Sequence, residues 1–135
     1  MDADDGVIDG SGTFASSWFV ANGATGVTFT FPTPVTAVGC VWTDGGGTTT
    51  FEAFGPGMAS LDTIGPVSIA DGSNLGETAE DRFFGVKAPH GIVAIKLSNS
   101  SGGMEVDHVQ YGFAATPVPA LSPLGSVTLP ALMLL

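Results

Sequence analysis

The chain has almost no positive charge. Arg82, Lys87 and Lys96 are its only basic side chains, and with 13 Asp and Glu the net charge is −10. Gripping a nucleic-acid backbone takes several Lys or Arg to neutralise phosphates, so nucleic acid is excluded as a partner. The same shortage excludes attraction to an anionic membrane surface. Charge of either sign is scarce: Asp, Glu, Lys and Arg together make up 12% of the residues, about half the usual share. Ser, Thr, Gly and Asn must therefore cover the surface, a habit of secreted β-rich proteins. Cys40 is the only cysteine, which excludes an intrachain disulfide and a thiolate zinc cluster. It lies in the apolar run 38–42 and reads as a small buried hydrophobe. No long stretch carries the 3.6-residue period and end signals of a helix. No basic segment followed by an apolar run comes after Met1, so this start has no secretory signal peptide.

What the chain does have is strand material. Hydrophobic residues make up 44%, including nine Phe, enough to build one domain's core. The stretch 90–112 organises the rest. Val93, Ile95 and Leu97 alternate with Ala94, Lys96 and Ser98, the period of a strand with one buried face. Asn99-Ser100-Ser101-Gly102-Gly103 then turns the chain. Beyond it, Val106 and Val109 are three apart. Both can face one core only if an extra residue is taken up at Asp107-His108, as in a β-bulge.

The earlier segments follow the same logic. Val27, Phe29 and Phe31 line one face of a strand that Pro32 and Pro34 end. Residues 35–43 are apolar on both faces, as in a central strand covered on both sides. Asp44-Gly45-Gly46-Gly47 is a turn, and 48–54 reads as the second arm of a hairpin with 35–43. Gly55-Pro56-Gly57 breaks the chain, 58–64 and 67–70 are short strands around Gly65-Pro66, and 71–81 is a loop. Residues 82–87 resume as a strand with Phe83 or Phe84 inward. Seven or so short strands predict an all-β fold, an antiparallel, jelly-roll-like β-sandwich. The expected organisation is a flexible acidic lead-in (1–16), the sandwich (17–113), a proline-containing linker (114–123) and a short apolar tail (124–135). In the lead-in, Asp2, Asp4, Asp5 and Asp9 around Gly6 only partly match a calcium loop, because Ala3 takes a ligand position.

Glu80, Asp81, Asp107 and His108, with His90, are the polar residues that could carry chemistry. Carboxylates and imidazole bind metals or trade protons. Neither H-E-x-x-H nor G-x-S-x-G occurs, so a hydrolase would need a site assembled wholly by the fold. Asp81, Asp107 and His108 are the candidate polar or metal site, and calcium is the ion that loop carboxylates and carbonyls would take. The structural alternative is an ion pair of Asp81 with Arg82, a backbone hydrogen bond for Asp107 and a half-buried His108. Trp18, Trp42 and Tyr111 could stack on the apolar faces of sugars. Trp42 falls in the most apolar strand and is expected in the core, which leaves Trp18 and Tyr111 as the candidate sugar platform.

Residues 116–125 (TPVPALSPLG), followed by an apolar run, resemble the C-terminal sorting signals of the IPTL-CTERM and PEP-CTERM type. Val118-Pro119-Ala120-Leu121-Ser122 stands where that family has Ile-Pro-Thr-Leu-Ser. The body resembles domains that carry such signals, in 31–44 (FPTPVTAVGCVWTD), 51–57 (FEAFGPG), 79–86 (AEDRFFGV) and 105–112 (EVDHVQYG). The resemblance implies an exported bacterial β-sandwich with no assigned activity. Its partner would be the envelope sorting machinery, and its only membrane contact would be through the tail. The tail departs from the family's pattern. Residues 124–135 would span about 18 Å as a helix, short of the roughly 30 Å hydrocarbon core, Pro130 interrupts them, and no basic cluster follows. With no signal peptide either, the sequence reads as a fragment or an incomplete gene model ending in a truncated sorting tail; the alternative is that the tail is a last strand or a disordered end. The expected role is a non-catalytic domain outside the cell or at its envelope. The runner-up is a calcium-stabilised carbohydrate-binding module, and a hydrolase comes third.

Overall fold

A strand of about thirty residues would reach about 100 Å if straight, so inside a small domain it has to fold back. The chain holds two such strands. The structure, a computed structural model, describes residues 18–70 and 81–113; the lead-in, the linker and the tail lie outside them. The strands are β1 (Trp18–Val20), β2 (Val27–Gly55), β3 (Ala59–Val67) and β4 (Arg82–Gly112). A 3-10 turn, Pro56–Met58, joins β2 to β3. Hydrogen bonding is antiparallel throughout, in the order β1-β4-β2-β3. With 29 and 31 residues, β2 and β4 bend and pair with each other along two separate ladders. No helix among the described residues is long and apolar enough to cross a membrane.

Those ladders are the two layers of a sandwich. In the first, residues 94–97 lie between 27–30 and 51–54, and β3 lies beyond 51–54. In the second, residues 38–42 run between 82–86 and 106–111, and β1 lies beyond 104–106. The chain changes layer at every connection except the tight β2–β3 turn. This is the jelly-roll-like sandwich that the alternation predicts. Val38, Cys40, Trp42, Phe84, Met104 and Val106 from one layer meet Phe51, Ala53, Ile92, Ile95 and Leu97 from the other. Phe51 and Phe84 stack across the gap, with ring centroids 5.7 Å apart and planes 12° from parallel. Cys40 is fully buried, and desolvation pushes its thiol up to about 12, so it packs as a hydrophobe.

The layer assignment corrects the hairpin expected at Asp44-Gly45-Gly46-Gly47. Residues 37–42 pair with the two ends of β4, whereas 49–54 pair with its middle and with β3. The two arms therefore sit in different layers. In a hairpin, Trp42 and Phe51 would lie side by side in one sheet; as an arch, each run presents its apolar side to the other. The turn 99–103 is the matching arch of β4, and the two arches touch through Gly45↔Met104 and Gly46↔Ser101. Three smaller expectations also shift. Pro32 and Pro34 do not end the strand that begins at Val27: they fall where its ladder slips between Thr30 and Val35, and β2 continues to Gly55. Residues 67–70 are not a separate strand, because β3 runs through Gly65-Pro66 and ends at Val67. Ile92 takes the core place expected of Val93, which is half-buried, because the ladder slips between Thr30 and Val35.

Residues 35–43 are covered on both sides, as their double-faced apolarity predicts. Val38, Cys40 and Trp42 face the core. On the outer face the Phe83 ring lies over Gly39, where a Cβ would strike its Cζ, while Phe84 takes the inward place. The bulge in β4 is present. Val41 pairs with Asp107 and Gly39 with Gln110, so two steps on β2 match three on β4. His108 takes up the extra residue with φ of +49°. Val106 is thereby kept in the core, with Val109 packed against it.

Candidate functional site

Asp107 and His108 form one local unit. Asp107 is 3% exposed, and its Oδ1 accepts a hydrogen bond from the His108 backbone N–H at 2.6 Å. Its Oδ2 lies 3.6 Å from His108 Nδ1. A non-glycine residue at positive φ is strained, and the Asp107 carboxylate holds that strained N–H in place. Such local side-chain bonding is what Asp offers at a turn or bulge. Asp81 is buried at the start of β4, where the Arg82 guanidinium donates to its carbonyl oxygen at 2.6 Å. The strand bearing Asp81 and the one bearing Asp107 flank residues 38–42 on opposite sides, about 10 Å apart at the usual strand spacing. His90 is exposed beside Gly91 and Pro34, at the end of the sandwich opposite the glycine arches. Glu80 lies outside the described residues. The structure thus joins Asp107 to His108, sets Asp81 two strands away and leaves His90 far off. Among the described residues, no three of His, Cys, Asp and Glu are grouped so as to hold a metal ion.

Among the described carboxylates, the one whose proton affinity departs clearly from normal is Glu105, two residues before Asp107. Burial raises it first, then the Asp44 carboxylate paired beside it, with a smaller push from Asp107. Because the folded state holds this proton more tightly than the unfolded chain does, folding takes up a proton between the ordinary carboxylate value and the raised one. The penalty is absent below the ordinary value, grows as pH rises through that window and is complete above it. Glu105→Gln should therefore melt higher than the parent at pH 7, with the difference closing by pH 4. Solvent screening of this half-buried group keeps the gain to about 0.5 kcal/mol or less. Melting curves at the two pH values check this, and an equal gain at both would refute it.

The aromatic residues separate as the sequence suggests. Trp42 is fully buried, whereas Trp18 is 47% and Tyr111 61% exposed. Each exposed ring leans on a half-buried Phe of β2. Trp18 meets Phe29 edge-on, with centroids 5.1 Å apart and an angle of 82°. Tyr111 meets Phe31 at 4.9 Å and 44°. Phe29 and Phe31 are alternate residues on one face of β2, so the contacts string the rings in the order Trp18, Phe29, Phe31, Tyr111. The row runs along the side of the sandwich where residues 27–31 edge one layer and β1 and the end of β4 edge the other.

Asn99 belongs to no sequence-level candidate, yet it is 3% exposed. Its Oδ1 accepts from Trp42 Nε1–H at 3.2 Å, in the other layer, and from the Thr49 hydroxyl at 3.0 Å. Its backbone N–H donates to the Gly23 carbonyl at 2.8 Å. A Cβ at Gly45 would run into Asn99 Nδ2 and stand 2.8 Å from Trp42 Cζ2, so that position takes glycine. Asn99 is the tie between the layers beneath the two arches. A side chain in an N-S-S-G-G turn reads as local turn chemistry; only the arch geometry sends it inward. Comparison of the chain with family models, with curated proteins and with solved structures returned no match.

Proposed function

We propose that the chain is a non-catalytic β-sandwich domain displayed outside the bacterial cell or at its envelope, directed there by its C-terminal segment. The observation that carries this reading is the run 116–125, with Val118-Pro119-Ala120-Leu121-Ser122 at the place of the Ile-Pro-Thr-Leu-Ser motif. The uses of the polar residues support it. Asp107 braces a bulge, Asn99 ties the layers, and the Cys40 thiol is buried and protonated. The scarcity of charged residues agrees with a life outside the cytoplasm.

The test places an epitope tag after Leu135 and a signal peptide before Met1, in a bacterium that processes tails of this type. The body is expected in the envelope or medium fraction without the tag. Changing Pro119→Ala and Leu121→Ala together should leave the tag attached. A parent chain that keeps its tag as the variant does would sink the reading.

A further inference from the structure

We propose that the row Trp18–Phe29–Phe31–Tyr111 is a binding strip for an extended, neutral, β-linked glycan chain. The inference concerns the sandwich body and does not depend on where the tail sends it. Its first support is shape. The strip is narrow and elongated: its middle two members are alternate residues on one strand, about 7 Å apart, with Trp18 edge-on to one and Tyr111 tilted against the other. An extended β-linked chain has the same form, a ribbon whose sugar rings present flat C–H faces along a line. Those faces stack on aromatic rings, whose faces are apolar and weakly negative.

The second support is preorganisation. Trp18 and Tyr111 are exposed but propped, each against a Phe that packs on the core. A ring already held in place loses little freedom on binding, which is where weak polar ligands otherwise lose affinity. The third is charge. The strip holds no Asp, Glu, Lys, Arg or His, and the chain has 3 basic residues against 13 acidic ones. An anionic polysaccharide or lipid surface would be repelled, and a neutral chain would not.

Size decides against a protein partner. A stable interface takes about 800 Å² from each side. Trp18 and Tyr111, of about 200 Å² each and roughly half exposed, offer about a quarter of that, and Phe113, exposed two residues beyond Tyr111, still leaves the patch below about half of it. The area suits a few stacked sugars.

The test is native gel electrophoresis of the full chain in gels containing hydroxyethylcellulose, barley β-glucan, glycol chitin or alginate. Retardation is expected in at least one of the neutral gels and not in alginate, with affinity lowered at least tenfold by Trp18→Ala and by Tyr111→Ala. Phe19→Ala should bind like the parent, since Phe19 is 65% exposed but points away from the strip as the next residue along β1. Melting temperatures show whether each variant is folded. If Trp18→Ala is not, Trp18→Phe replaces it: Trp42 is fully buried, so the fluorescence change on adding the retarding glycan should vanish in that variant. The proposal is overturned if no neutral gel retards the chain, if alginate retards it as strongly, or if Phe19→Ala loses as much as Trp18→Ala. It is also overturned if sedimentation shows a dimer that Tyr111→Ala dissociates, because the strip would then be a contact between copies. The outcome is independent of tag processing, so either result can fail alone.

Discussion

Asn99→Ala is expected to destabilise the domain by about 2–4 kcal/mol, because it leaves the buried Trp42 Nε1–H and the Thr49 hydroxyl without an acceptor. An unsatisfied buried donor costs about 1–3 kcal/mol, more than the hydrogen bond itself contributes. For a domain of about a hundred residues this lowers Tm by roughly 10–20 °C. The asymmetry between a lost bond and an orphaned donor supplies the sharper test. Trp42→Phe removes one donor, so in the double variant Asn99→Ala costs less than it does alone, and the coupling measures the contact between layers. Urea unfolding of the four proteins gives the number. Additive losses would mean that the amide oxygen does not bridge the layers.

The fold was legible because its signals are local. Alternation in 27–31 and 93–98 names strand segments, and Gly55-Pro56-Gly57 names an end; the other Pro and Gly clusters mark bends inside β2, β3 and β4, not their ends. The spacing of Val106 and Val109 even requires the bulge, since a core on one side cannot be served by residues three apart without it. Partner choice was not legible. A glycine turn flanked by two strands reads equally as a hairpin or as an arch. What decides is whether each strand's apolar face finds something opposite, a property of the whole chain. Residues 35–43 did carry a hint, since a strand apolar on both faces needs cover on both, and the core supplies one side while Phe83 lies over Gly39 on the other.

The candidate site divides in the same way. Asp107 and His108 stood out because they break a pattern, and the structure accounts for them by the break itself: the carboxylate braces the bulge. Trp18 and Tyr111 stood out by residue type, and both are exposed. Phe29 and Phe31, which orient them, looked like ordinary core positions, because a prop is known only by what leans on it. Asp44 and Glu105 are far apart in sequence, and only the register of β2 against β4 sets them side by side.

Phe51→Ala should cost about 3–5 kcal/mol, the usual range for emptying a buried aromatic site. Phe51 is 1% exposed at the centre of the sandwich, on the layer built by residues 94–97, and its ring stacks on Phe84 from the other layer. Deleting it removes the transfer free energy of the side chain and opens a cavity between two sheets that hydrogen bonds hold apart. Neither sheet can close the gap without bending its ladders, so little of the loss is recovered by relaxation. Phe51→Leu keeps most of the volume and loses the stack, and should cost about 1–2 kcal/mol. Domains of this size are stable by only about 5–15 kcal/mol, so the Ala variant approaches the unfolding threshold at 37 °C. Chemical denaturation of both variants checks the ordering. A Phe51→Ala loss below 1 kcal/mol would mean that the two layers do not meet at this stack, and would overturn the two-layer arrangement.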